Sequence, residues 1–154
     1  MEAKKEFMEK AIQIAKESAA RLDYALGAVI IKDDKIIAMW TTNLKHENDP
    51  TVHAEIVAIR NACKELSAKY LEDCILYTTH EPCPMCASAA IWAKMKWIVF
   101  WAFAEDSKQR AWNNFSWRQI DISCKDVLAK WTPKLEIIEW FCRDECLELF
   151  ALAQ

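Results

Sequence analysis

Between His53 and Cys86 the chain carries three side chains suited to a divalent metal, and its fold must bring them to one point. The stretch opens with His53-Ala54-Glu55 and closes with Glu81-Pro82-Cys83-Pro84-Met85-Cys86. One imidazole nitrogen and two thiolates suit zinc, and three protein ligands leave the fourth tetrahedral position open. No further ligand stands at the spacing a closed structural site requires. Glu55, two residues past the histidine, reads as a proton carrier rather than a ligand. The stretch therefore predicts one catalytic Zn2+ per chain, held by His53, Cys83 and Cys86 and served by Glu55.

Spacing adds a structural demand. The offset of three between Cys83 and Cys86 turns both sulfurs to one side of a helix N-terminus, where free N–H groups favour thiolate over thiol. Residues two apart in a regular helix point away from each other. For His53 and Glu55 to serve one site, the helix must begin at His53. Two thiolates offset a dication's charge and weaken its acidifying effect on water, so a nearby carboxylate is needed to take a proton. Passing that proton to a ring and then to a departing amine gives hydrolytic deamination. A lone Cys-x-x-Cys more often marks structural zinc or redox chemistry. A thioredoxin-like reading would leave His53 and Glu55 unexplained.

The cysteines fit a reducing compartment, since seven of them stand in a chain with no export signal. Met1 to Lys10 is charged throughout, against a signal peptide, and no apolar run suggests a membrane span. Length predicts a single domain over 1–154. The net charge of −3 gives no basic footprint for nucleic acid.

Apolar periodicity predicts a helix over 2–22 and a hairpin of 25–31 and 35–39 around Asp33-Asp34. A turn at Asp49-Pro50-Thr51 should lead into a helix over 53–67. Strands are expected at 73–79, 97–102 and 135–139, with helices over 84–94 and 143–150. The segment 105–129 is placed only loosely. Helices alternate with strands, which predicts a central mixed sheet with helices on both faces.

The pattern His-x-Glu followed by Pro-Cys-x-x-Cys resembles that of zinc-dependent nucleobase deaminases. Over nearly its whole length the chain resembles the cytidine deaminase superfamily, in particular its bacterial guanine deaminases. Asn48 to Glu55, Leu76-Tyr77-Thr78-Thr79, Glu81 to Cys86 and Arg143-Asp144-Glu145-Cys146 carry the likeness. It implies a three-layer α/β/α sandwich around a five-stranded mixed sheet, a homodimer, His53, Cys83 and Cys86 as ligands, and Glu55 as acid and base. It also implies a small-molecule nucleobase or nucleoside substrate, with guanine first, in a cytoplasmic enzyme. The tRNA adenosine deaminases share the central motifs, but the acidic balance disfavours an RNA partner. A catalytically silent zinc-binding module is the reading from another class.

Substrate contacts are expected in the loop before the histidine. The family places an asparagine eleven positions upstream of it, where this chain has Thr42 followed by Asn43. Ala54 is assigned to the same pocket. Asn114 falls where guanine-type members carry acidic residues, and an amide could read a different edge of the base. Glu81 and Pro82 adjoin the ligands and are expected to support them. Phe103, Phe115 and Trp117 could stack on a base, although packing is the default for such rings. Cys63, Cys74 and Cys124 read as buried thiols. Cys142 and Cys146, one helical turn apart, lack a third ligand. His46 and His80 read as surface or supporting groups.

The chain has one glycine, Gly27, and eight tryptophans. Trp40, Trp101, Trp112, Trp131 and Trp140 fall where members of the family tend to carry glycine. Trp40 and Trp101 end strands, where tight backbone is expected. A glycine codon read as tryptophan would produce this pattern, and UGG codons at these sites would exclude it.

Overall fold

The strands β1 (Gly27–Lys32), β3 (Ile75–His80) and β4 (Trp97–Ala102) are buried at nearly every position, as strands covered on both faces must be. In a computed structural model that describes residues 3–106, 120–139 and 142–152, they form the middle of a five-stranded sheet. Its order is β2-β1-β3-β4-β5, with β2 at Lys35–Thr41 and β5 at Glu136–Ile138. β1 runs antiparallel to both β2 and β3, whereas β3, β4 and β5 are parallel. The expected mixed sheet is therefore present.

Side chains alternate between the two faces with the period of two that a pleated strand imposes. Val29, Ile31, Tyr77, Val99 and Trp101 pack against α1 (Lys5–Ala20) and a C-terminal helix, Arg143–Leu152. Ala28, Ile30, Leu76, Ile98 and Phe100 pack against α2 (Ala54–Glu65), α3 (Pro84–Trp92) and α4 (Cys124–Leu128). The C-terminal helix is α5. Three layers result, α/β/α. Among the described residues no helix is long and apolar enough to cross a membrane.

Element types match the sequence expectations, and the ends move by a few residues. α1 is shorter than 2–22, and β2 runs two residues past Met39. Asp33 and Asp34 both take positive φ, 49° and 58°, which is the two-residue hairpin turn whose twist suits adjoining strands. Aspartate tolerates that region better than most side chains, so the pair serves without glycine.

Trp40, Trp101 and Trp131 are absent from the residues with positive φ. Trp101 is fully buried in the α1/α5 layer, Trp131 packs against the other layer, and Trp40 is exposed on β2. Trp112 and Trp140 lie outside the described residues.

Gly27 is the position where glycine is needed, and the reason is proximity. A Cβ there would stand 2.2 Å from the carbonyl oxygen of Ala11 and 2.8 Å from Ile14 Cγ1. The backbone of α1 lies directly on β1. Gly27→Ala must push helix and strand apart, at a cost of about 3 kcal/mol or more. A urea unfolding midpoint equal to that of the wild type would contradict this packing.

Candidate metal centre

Asp49 begins the local construction of the site. Its Oδ1 accepts from the backbone N–H of Thr51 at 2.8 Å and from the Thr51 hydroxyl at 2.7 Å. These bonds hold the Asp49 carboxyl below its ordinary range. The expected turn is thus closed by a side chain, and it delivers His53 in extended backbone, φ −73° and ψ 150°, as the N-cap of α2. Its carbonyl accepts from Val57 N, so the helix starts where the paired use of His53 and Glu55 requires. Cys83 caps α3 in the same way, with Pro84 in the first turn. It follows β3 directly, and α2 and α3 share one face of the sheet.

Two helix N-termini therefore converge. His53 Nδ1 lies 3.7 Å from Cys83 Sγ and 3.5 Å from Cys86 Sγ, and the two sulfurs are 3.6 Å apart. A tetrahedral zinc with bonds of about 2.3 Å to sulfur and about 2.0 Å to nitrogen sets S···S at roughly 3.8 Å and S···N at roughly 3.5 Å. The observed triangle meets that to within about 0.2 Å, so these donors fit one zinc ion. Among the described residues, no other group of three or more His, Cys, Asp or Glu side chains gathers its ligand atoms so closely.

The electrostatics point the same way. Donation from Cys86, and then from His53, holds the Cys83 thiol down at about 4. The Cys86 thiol is pushed up because its proton lies in the bond to Cys83 and because it is buried. The His53 imidazole is raised by its bond to Cys83. On its own the cluster can hold one negative sulfur; a dication in its centre would displace the remaining protons. Glu55 is buried one residue into α2, and burial pushes its carboxyl up.

Residues 1–102 match the family model of the cytidine and deoxycytidylate deaminase zinc-binding region. The chain belongs to the cytidine and deoxycytidylate deaminase family. It is 44% identical to the guanine deaminase of Bacillus subtilis over 117 residues, 75% of each chain. It is 38% identical to the tRNA-specific adenosine deaminase of Aquifex aeolicus over 97 residues, 63% of this chain and 64% of that one. A solved structure from studies of A-to-I editing by tRNA deaminases superposes with a TM-score of 0.79 at 28% identity, covering 95% of this chain and 99% of that one. Membership makes the protein a zinc-dependent deaminase, and its sheet is the family's sheet.

The other residues singled out in the sequence divide into groups. Ala54, fully buried, opens α2 between His53 and Glu55. Glu81 acts on backbone: its carboxylate accepts from Ala104 N at 3.0 Å and Cys124 N at 2.8 Å. It ties the chain after β4 and the start of α4 to the strand end that carries Cys83, and Pro82 is buried beside it. Thr42 is buried, and its carbonyl accepts from Ser18. Asn43 donates to Glu47. Both line a surface cavity against α1 whose lining includes none of the three metal-binding side chains. Asn114, Phe115 and Trp117 lie outside the described residues.

Phe103 packs edge-on against Phe100 and lies under Arg143, which pairs with Asp106 at 2.6 Å. Cys74 and Cys124 are buried as expected; Cys63 is partly exposed at the end of α2, a correction. Thr78, which the sequence reading did not single out, donates to Glu55 Oε1 at 3.4 Å. Its place two residues after Leu76, on the same face of β3, is the signal that could have found it.

Two expectations follow. Purified protein should carry one zinc per chain by elemental analysis, and Cys86→Ser should lose it and melt lower. A metal-free wild type under replete conditions would contradict the site. His80, edge-on to Phe150 at 4.4 Å, is held at about 3 by burial, against its ordinary 6.5. The unfolded chain binds that proton first, so this part of the stability is present above about pH 6.5 and is lost as the pH falls towards about 3. His80→Gln should flatten the fall in Tm across that window; an unchanged slope would contradict it.

Proposed function

We propose that the protein is a hydrolytic deaminase of a free purine base or nucleoside, with guanine as its first substrate. The observation that carries the reading is a buried carboxylate, Glu55, two residues from a ligand of a three-donor zinc cluster. Identity to a guanine deaminase across 117 residues supports the choice of base. The formal net charge of −3 supports a small substrate over a polyanion.

Zinc, when bound, supplies Lewis-acid activation of water for attack on the ring carbon that bears the amino group. Glu55 then moves protons. Its carboxylate takes one, places it on the adjacent ring nitrogen, and delivers a proton to the departing amino nitrogen. The balance is amine plus water to carbonyl plus ammonia. Burial of Glu55 suits this role because it brings the carboxyl nearer to working pH. Thr42, Asn43, Ala54 and Asn114 are the residues proposed to meet the base. The single domain, the homodimer and a reducing cytoplasmic setting belong to the same reading. Exposed Trp92 on α3, with Ile120 and Ile122 before α4, supports a partner surface, and seven free cysteines support the compartment.

A second reading, deamination of adenosine in tRNA, is supported by the solved structure that covers 95% of this chain. Ammonia release should be measured on guanine, adenine, cytosine, their nucleosides and tRNA anticodon stem-loops. Guanine is expected to react fastest; activity on stem-loops alone would replace the first reading with the second. Glu55→Gln should lower kcat by about a hundredfold or more while zinc content is kept. Retained turnover would overturn the role given to Glu55, and no ammonia from any substrate would favour a silent zinc module.

A further inference from the structure

We propose that Thr78 is the residue that aims the carboxylate of Glu55, an inference that rests on the proton-carrying role given to Glu55. Two side chains reach that carboxylate among the described residues. One is Cys86, whose only thiol proton is also claimed by the bond to Cys83. The other is Thr78, whose hydroxyl donates to Oε1 at 3.4 Å. The two are not equivalent once a metal is bound. A cysteine that ligates zinc does so as thiolate and has no proton left to donate. Thr78 is then the remaining side-chain donor that fixes the carboxylate.

The surroundings favour such a role. Thr78 lies on the central strand β3, between Ala28 of β1 and Phe100 of β4. All three are buried, so the hydroxyl makes its bond away from bulk water, where a hydrogen bond is stronger. A β-branched side chain on a strand has little freedom at χ1, so the oxygen is held in place. A hydroxyl can also donate to the carboxylate and, by rotating, accept from the carboxyl. Leu76 and Ile98, the apolar neighbours on this face, offer no such group.

Thr78→Val keeps the shape and removes the hydroxyl, whereas Thr78→Ser keeps the hydroxyl and removes a methyl. Both are compared with the wild type and Glu55→Gln, as holoenzyme, using guanine or whichever compound in the panel releases ammonia fastest. For Thr78→Val, kcat is expected to fall about ten- to a hundredfold, the cost of one hydrogen bond to a charged group, with KM and zinc content within about twofold of wild type. Thr78→Ser is expected to recover most of kcat. Wild-type kcat in the valine variant beside an inactive Glu55→Gln would overturn this inference alone. So would a serine variant as slow as the valine one, or loss of zinc from the valine variant. An active Glu55→Gln would instead overturn the role of Glu55 itself.

Discussion

Two sulfurs, an imidazole and a carboxylate crowd the end of one strand, with the sulfur and nitrogen donors 3.5 to 3.7 Å apart. Such a group cannot ionise fully in a buried place without a positive charge at its centre. Much of what surrounds it follows from that constraint. The two helix N-termini that meet there direct partial positive charge at the sulfurs. A zinc ion completes the balance, because two thiolates match its charge and the fourth position stays open. The same neutrality leaves proton transfer to the protein, which is why the buried carboxylate beside the cluster matters.

The sheet is what makes the convergence possible. β3 ends at His80, Glu81 and Pro82 lead to Cys83 at the N-cap of α3, and α3, with Cys86 in its first turn, returns to the parallel strand β4. On the same face α2 begins at His53, held by the Asp49 turn. Glu81 binds the chain after β4 and the start of α4 through backbone N–H groups, so the end of β3 cannot move independently of either. On the opposite face α1 lies close enough on β1 that only glycine fits at position 27. A strand apolar on both sides is thereby anchored by helices from both directions, and the site sits on its most constrained end.

Several residues show how far pattern reading goes. The His-x-Glu pair forced a helix start at His53, because side chains two apart on a helix diverge, and His53 is the N-cap. The Asp33-Asp34 hairpin was legible from composition, since few side chains tolerate two left-handed residues. Trp40, Trp101 and Trp131 lack positive φ, a property that residue type alone does not reveal. Cys63 misled because it falls on an apolar helical stripe but near the C-terminal end of α2, where it is partly exposed. Glu81 was expected to support the ligands; its partners are backbone N–H groups of Ala104 and Cys124, which no side-chain pattern encodes.

The amino-acid sequence by itself determined the ligand types, the offset of three that puts both sulfurs on one helix turn, and the alternation that layers the sheet. Those are local properties, set by the periods of helix and strand. Only the tertiary structure decided that the two helix N-termini meet, that the donor triangle has zinc's dimensions, and that Thr78 reaches Glu55 across 23 positions of chain. These depend on strand order and on how closely helices lie on the sheet, quantities fixed by packing between distant segments.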